Sequence, residues 1–132
     1  MSDLVTQTAL EAEFLVSCLC AGWCGTCRDY AEGFEALPGK FPEVGFVWVD
    51  VEDEAEVAGD IDVENFPTLV IQRGTDVLFC GPMLPQHRLL ERLLETFMAQ
   101  SAEESAGYAR GTPERLGWQG LADVRTRLAR GD

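Results

Sequence analysis

The sequence predicts an α/β fold in which a central mixed β-sheet is flanked by helices and followed by a C-terminal helical extension. Short apolar runs rich in β-branched and aromatic residues alternate with amphipathic stretches through residues 13–97, which is the pattern of strands alternating with helices. Their order is strand, helix, strand, helix, strand, strand, helix. The last two strands follow each other across a short turn and are therefore predicted to be antiparallel.

The first strand and the first helix occupy the N-terminal part of this pattern. Residues 13–20 form an apolar run of the length expected for a buried strand, and residues 24–37 are polar and compatible with a helix. The helix is predicted to stop at the pair Pro38-Gly39, because proline and glycine interrupt helices. Residues 2–12 are predicted to be a short helical or irregular lead-in.

The second strand is predicted over Val44–Val49, where β-branched and aromatic residues dominate. Residues 53–59 are predicted to form a short helix that ends at glycine. Strands over 68–72 and 77–80 follow, and the Arg-Gly-Thr-Asp segment at residues 73–76 has the composition of a hairpin turn.

The clearest helix in the sequence opens at Pro85. Its apolar residues recur at helical spacing opposite charged residues, and they are Leu89, Leu90, Leu93, Leu94 and Phe97. This helix is predicted to close the sheet-forming part of the chain.

The chain beyond residue 100 differs in character. Residues 101–107 have the composition of a linker, Thr112-Pro113 is a helix-start signal, and residues 121–128 carry the apolar stripe of another short helix. We therefore predict a domain over residues 1–100 and an extension over residues 101–132. An extension of about 30 residues is too small to fold alone, so it either packs on the domain or binds a partner.

Composition and charge exclude several classes of function. A chain of 132 residues with 46% hydrophobic and 25% charged residues has the composition of a single globular unit. The formal net charge of −13 argues against binding to nucleic acids or to anionic membranes. No apolar run is long enough to span a membrane, and the N-terminus lacks the features of a secretory signal, so we expect a cytoplasmic protein.

The five cysteines, an odd number, favour reduced or catalytic thiols over a disulfide framework. Two of them lie in Trp23-Cys24-Gly25-Thr26-Cys27, where the first strand gives way to the first helix. A C-x-x-C in that position is typical of a redox pair. The N-terminus of the helix stabilises a thiolate and so lowers the pKa of Cys24, and Cys27 lies one turn further along.

The W-C-G-T-C motif and the later segment Phe66-Pro67-Thr68-Leu69 together resemble the active site of the thioredoxin family. The resemblance covers residues 10–100, and it implies a thioredoxin fold for that part of the chain. It also implies thiol–disulfide exchange with a protein partner.

By this resemblance, Cys24 is the exposed nucleophile and Cys27 is the buried resolving thiol. The side chains expected to support them are Trp23, Gly25, Thr26 and Cys18. Pro67 matches the cis-proline of the family, and the preceding Phe66 is expected to offer backbone groups to an extended substrate. Gly81 is expected to keep the substrate groove open.

The sequence departs from the family pattern at four positions around the site. Cys18 stands where a buried aspartate is usual, Trp48 where a lysine is usual, and Glu32 and Thr26 where prolines are common. The missing carboxylate leads us to expect slower attack by Cys27 near neutral pH. These departures favour a specialised oxidoreductase, or a domain that has drifted toward binding.

A zinc site is an alternative, because Cys18, Cys20, Cys24 and Cys27 have the spacing C-x-C-x₃-C-x₂-C. The first two lie inside a predicted central strand, where four thiolates cannot converge without disrupting the sheet. We therefore expect no metal and no bound cofactor. Cys18, Cys20 and Cys80 are each expected to be buried free cysteines.

The sequence thus predicts an oxidoreductase whose partners are a protein disulfide or dithiol substrate and a recycling reductase or oxidant. The alternative is a protein-interaction module of the same fold, which binds an extended segment beside Pro67 and performs no chemistry. His87, the only histidine, has no motif around it and is expected to face solvent or to cap its helix.

Overall fold

The computed structural model describes residues 9–21, 25–59, 61, 67–83 and 87–130. The strands are β1 (Phe14–Cys20), β2 (Val44–Asp50), β3 (Thr68–Arg73) and β4 (Asp76–Pro82). The helices are α1 (Gly25–Lys40), α2 (Ala55–Ala58), α3 (His87–Met98), α4 (Ala102–Ala109), α5 (Pro113–Trp118) and α6 (Val124–Arg130). Among these helices none is long and apolar enough to cross a membrane.

The strands form one sheet in the order β2-β1-β3-β4. β1 is parallel to β2 and antiparallel to β3, and β3 is antiparallel to β4. The predicted mixed sheet is therefore confirmed. The β3–β4 turn contains Gly74, whose φ of 59° favours glycine over other residues.

β1 is buried along its whole length because the sheet is covered on both faces. Residues alternate between the faces. One face packs Val16 and Cys18 against α1 and α3. The other face packs Leu15 and Leu19 against α2 and α6. This arrangement explains why the strand is a continuous apolar run rather than an alternating one.

Helix α1 continues beyond the predicted stop at Pro38 and ends at Lys40, so the predicted end was wrong. Proline cannot donate the usual backbone hydrogen bond, but the last turn is retained by a 2.9 Å bond from the Phe41 amide to the Leu37 carbonyl. An ion pair of 3.0 Å between Lys40 and Glu91 also joins the end of α1 to α3.

The segment at residues 101–107, expected to be a linker, lies at the start of a helix. Ser101 caps α4 by accepting a 3.0 Å hydrogen bond from the Glu104 amide, and the Glu104 side chain accepts a 2.8 Å bond from the Ser101 amide. This reciprocal pair is a capping box. The predicted cap at Thr112 is confirmed, since its hydroxyl accepts a bond from the Arg115 amide.

The extension packs on the sheet at the outer edge of β4. The Gln119 side chain accepts a 2.8 Å hydrogen bond from the Val77 amide and donates one of 2.8 Å to the Val77 carbonyl. The side-chain amide of Gln119 thereby makes the two hydrogen bonds that a neighbouring strand would make with an exposed edge strand.

A second set of hydrogen bonds joins α6 to β3. The buried Gln72 side chain donates to Asp123 at 2.9 Å and accepts from the Arg125 amide at 3.0 Å. The Arg125 guanidinium donates to the carbonyls of Leu10, Glu13 and Gly74. The extension is therefore held by specific polar contacts as well as by apolar burial.

Candidate active site

The candidate site lies where β1 ends and α1 begins. The antiparallel register pairs Leu19 with Thr68, and these residues directly precede Cys20 and directly follow Pro67 in the chain. Helix α1 starts at Gly25, immediately after Cys24 in the sequence. Cys27, bonded to Cys20 at the end of β1, and Pro67, directly before β3, thus lie at the same end of the two central strands, although they are 40 residues apart.

Cys27 is on the inward face of α1, together with Tyr30, Phe34 and Leu37. These positions recur at helical spacing, so the face packs on the sheet while Arg28 and Asp29 are exposed. Cys27 is only 1% exposed, which is the burial predicted for a resolving thiol. Its catalytic role remains a prediction.

Cys27 is bonded to Cys20 in a disulfide, with a Cα–Cα distance of 5.8 Å. The prediction that Cys20 is a free buried cysteine was therefore wrong. The residue that reaches it is on a helix, because the first turn of α1 lies over the end of β1.

Cys18 lies in the same buried cluster. Its Sγ is 3.9 Å from the Sγ of Cys20, and Cys18 is a free cysteine with no exposed surface. Burial raises the pKa of the Cys18 thiol far above its usual value. Cys18 therefore remains protonated and does not replace the base that an aspartate would provide.

Cys80, on β4, is separated from β1 by β3 and is also a free cysteine. Burial raises its pKa to about 11, opposed by the positive charge of Arg127. Cys18 is buried and unpaired, as predicted, whereas Cys80 is unpaired but only half-buried.

Tyr30 and His87 stack beside this cluster with ring centroids 4.1 Å apart. Neither the Tyr30 hydroxyl nor His87 Nδ1, both buried, has a hydrogen-bond partner. Burial is the main cause that lowers the pKa of His87. The expectation that His87 faces solvent or caps its helix was wrong. A side chain at Gly33 would overlap the imidazole, so glycine allows α1 and α3 to approach here.

Pro67 is buried at the start of β3, and its carbonyl accepts a 3.1 Å hydrogen bond from the Met83 amide. Gly81 is half-buried on the adjacent β4, paired with Leu69. The nearest atom to a side chain added at Gly81 would be Phe79 Cζ at 3.7 Å. The substrate-binding roles of Pro67 and Gly81 remain predictions.

Trp23, Cys24 and Phe66 fall outside the described residues, as does the side chain of Thr26, whose backbone is part of α1. The predicted cis geometry before Pro67 depends on Phe66 and so lies outside the described part as well. Among described residues, no cluster of three or more His, Cys, Asp or Glu is arranged to hold a metal ion.

Two of the family departures have structural explanations. Trp48 is half-buried and packs edge-on against Phe34, with ring centroids 5.7 Å apart. An aromatic ring thus fills space next to α1 where a lysine is usual in the family. Glu32 is exposed on α1, where no proline interrupts the helix before Pro38.

Comparison with known proteins gives a consistent result. The family model described as Thioredoxin matches residues 4–89. An H-type thioredoxin of Picea mariana is 42% identical over 65 residues, which cover 48% of this chain and 52% of that protein. Putative thioredoxin 2 of Streptomyces coelicolor is 31% identical over 86 residues, which cover 64% of each protein.

Among solved structures, the thioredoxin of Fasciola hepatica superposes with a TM-score of 0.60 at 27% identity. The match covers 72% of this chain and 88% of that structure. The predicted thioredoxin fold is thereby confirmed. The chain spans between 52% and 64% of the length of the two curated relatives named above.

Proposed function

We propose that this chain, which belongs to the thioredoxin family, is a thiol–disulfide oxidoreductase that exchanges disulfides with a protein partner through Cys24 and Cys27. The observation that carries the proposal is the position of Cys27. It is buried in the first turn of α1, three residues after Cys24 in the sequence, at the end of the sheet where Pro67 directly precedes β3.

The proposed reaction has two exchange steps. The Cys24 thiolate attacks a client disulfide, a Cys24–client bond forms, and the second client sulfur leaves as a thiolate. Cys27 then loses its proton and attacks Cys24 Sγ, so that a Cys24–Cys27 disulfide forms and the client leaves reduced. Two electrons pass from the chain to the client. A recycling reductase returns them, or the steps run in reverse with an oxidant.

Several features support these roles. The helix N-terminus directly after Cys24 favours a thiolate there. Burial keeps Cys27 away from solvent thiols until Cys24 carries a client. The half-buried position of Gly81 on β4 and the place of Pro67 directly before β3 are consistent with a client segment that lies along the end of β3.

Cys18 gives a test of the missing base. The substitution Cys18→Asp places a carboxylate at the buried position whose Sγ is 3.9 Å from the Sγ of Cys20, the disulfide partner of Cys27. We expect the resolving step at neutral pH to become about tenfold faster, because a carboxylate that accepts the Cys27 proton increases the thiolate fraction. Stopped-flow measurement of client release checks this, with Cys18→Asn as the matched control. An unchanged or slower rate in the aspartate variant contradicts it.

The function itself is tested by catalysed reduction of insulin with dithiothreitol as the electron source. We expect the wild-type chain to accelerate reduction and Cys24→Ser to lose the acceleration. Cys80→Ser, which removes a thiol outside the site, is the control and should retain it. No acceleration by the wild-type chain, or full activity of Cys24→Ser, contradicts the proposal.

The alternative is an interaction module that binds an extended segment beside Pro67 without chemistry. The observation that favours it is the fully buried Cys18 thiol, which stands where a base is usual in the family. Binding of a client peptide that is unchanged in Cys24→Ser, together with absent turnover, would establish this alternative.

We also propose that the protein acts in the cytoplasm. The support is the presence of free thiols at Cys18 and Cys80, which fits a reducing compartment. The net charge of −13 disfavours nucleic acids and anionic membranes as partners.

A further inference from the structure

Three buried sulfur atoms lie together under the start of α1. Cys20 and Cys27 are bonded, and their Cα–Cα distance of 5.8 Å is within the range that a disulfide requires. Cys18 Sγ is 3.9 Å from Cys20 Sγ. The reaction of Cys24 with Cys27 does not need the thiol of Cys20, so its presence at this point calls for a separate explanation.

Cys27 therefore has two possible partners. On one side, Cys24 precedes it by three residues, the spacing of a redox pair. On the other side, Cys20 ends β1 directly beneath it. A sulfur forms one disulfide at a time, so each bond that Cys27 makes leaves the other cysteine as a thiol.

Resting on the oxidoreductase function proposed above, we propose that Cys20 is a second resolving thiol. It replaces Cys24 as the disulfide partner of Cys27, so that Cys24 is a free thiol while the chain is oxidised. The oxidised chain then has two isomers. One holds its disulfide at the helix N-terminus, and the other holds it inside the core.

The exchange between the isomers is balanced without any external oxidant. Cys20 loses a proton and attacks Cys27 Sγ of the Cys24–Cys27 disulfide. The Cys20–Cys27 bond forms, the Cys24–Cys27 bond breaks, and Cys24 leaves with the electron pair as a thiolate. The number of disulfides stays the same, and the client disulfide of the proposed reaction supplies the original oxidation.

The core isomer has two consequences. Cys20 and Cys27 are 0% and 1% exposed, so a recycling reductase reaches their disulfide only through attack by Cys24. Cys24 also regains its thiol and can attack a second client, which then stays bound because Cys27 is occupied.

Peptide mapping distinguishes the isomers. The full chain is equilibrated with a graded glutathione series, denatured in acid, alkylated with N-ethylmaleimide and digested with chymotrypsin. Cleavage after Leu19, Trp23 and Tyr30 separates residues 20–23 from residues 24–30. The core isomer gives these two peptides joined, with Cys24 alkylated. The other isomer gives a closed loop within residues 24–30.

We expect the joined peptides in the oxidised wild-type chain and in the control Cys80→Ser, which removes a thiol outside the cluster. In Cys20→Ser we expect their loss, with the loop within residues 24–30 in their place and a loss of alkylation at Cys24. A wild-type chain that gives only the loop at every glutathione ratio overturns the role of Cys20 and leaves the proposed function standing. A Cys20→Ser chain that never forms the loop overturns the proposed function instead.

Discussion

Where the C-terminal extension packs on the sheet, polar side chains are hydrogen-bonded across the contact, whereas at the candidate active site two buried polar atoms are left unpaired. The Gln119 side chain is hydrogen-bonded to the backbone of Val77 at the edge of β4. Both the nitrogen and the oxygen of the Gln72 side-chain amide are hydrogen-bonded at the start of α6, to Asp123 and Arg125. Next to the cysteine cluster, the Tyr30 hydroxyl and His87 Nδ1 have no partner.

The two kinds of polar group differ in what they contribute to stability. A buried polar group that is fully paired specifies how two elements dock, whereas an unpaired one costs stability and is retained for another reason. Three buried side-chain atoms of the described residues lack a partner, and two of them are those of Tyr30 and His87. None belongs to the extension. The extension is thus a structural part of the fold, and the unpaired groups of Tyr30 and His87 lie near the cysteines.

Deletion of residues 101–132 should have the largest effect. It exposes the surface covered by Ala109, Ala122 and Val124, which are all fully buried, and leaves the polar groups of Gln72 and Val77 unpaired. We expect the loss to be about 5 kcal/mol or more, comparable to the whole stability of a small protein. Urea unfolding followed by circular dichroism measures it. A truncated chain that unfolds cooperatively at the wild-type midpoint would show that residues 1–100 form a domain without the extension.

The substitution Gln119→Leu should have the next largest effect. It keeps the volume of the side chain but removes the partners of the Val77 amide and carbonyl, so we expect a loss of about 2–4 kcal/mol in the free energy of unfolding. Leu116→Ala on the same helix is the control, since Leu116 is 55% exposed and should change stability by less than about 0.5 kcal/mol. Equal effects of the two substitutions would contradict the edge-pairing role of Gln119.

The substitution Tyr30→Phe should have a small effect of opposite sign. It removes a buried hydroxyl that has no partner while keeping the ring that stacks on His87. We expect the chain to gain up to about 1 kcal/mol, because no hydrogen bond is lost and a desolvated polar group is removed. Tyr108→Phe, at a half-buried ring, serves as the comparison. A loss of more than about 1 kcal/mol on removing the Tyr30 hydroxyl would reveal a bonding partner.

The smallest effect is a pH dependence at His87. Desolvation lowers the pKa of His87. The negative charge of Glu91 partly opposes this lowering, and the positive charge of Lys40 adds to it. The unfolded chain therefore binds more protons than the folded one as the pH falls below about 6.5. We expect the contribution of His87 to stability to be present above that pH and to decline below it. His87→Gln should reduce the pH dependence of the urea midpoint between about pH 5 and 7. An unchanged pH dependence would contradict the assignment of this effect to His87.

Much of the fold could be predicted because local signals and tertiary packing agree. The apolar run of β1, the hairpin at Gly74 and the leucine stripe of α3 each match the observed element. The cap of α4 at Ser101 was missed, although serine followed three residues later by Glu104 is a capping-box signal. Composition had suggested a linker, and the cap signal was the better guide.

Other features have no local signal. Gln119 is an ordinary polar residue in the sequence, and its role depends on where α5 docks against β4. The bond between Cys20 and Cys27 depends on how the first turn of α1 lies over β1, because residue spacing alone favours Cys24 as the partner. The stacking of Tyr30 on His87 likewise arises from the packing of two helices distant in sequence.

The central claim is that Cys27 resolves disulfides formed on Cys24, and a chromogenic aromatic disulfide tests it most directly. One equivalent is added to the reduced chain, and release of its two absorbing halves as thiolates is followed. Attack by Cys24 releases the first half, and attack by Cys27 on the mixed disulfide releases the second. We predict release of both halves in the wild-type chain and in Cys20→Ser, and of one half in Cys27→Ser. Release of both halves at the wild-type rate in Cys27→Ser would contradict the claim.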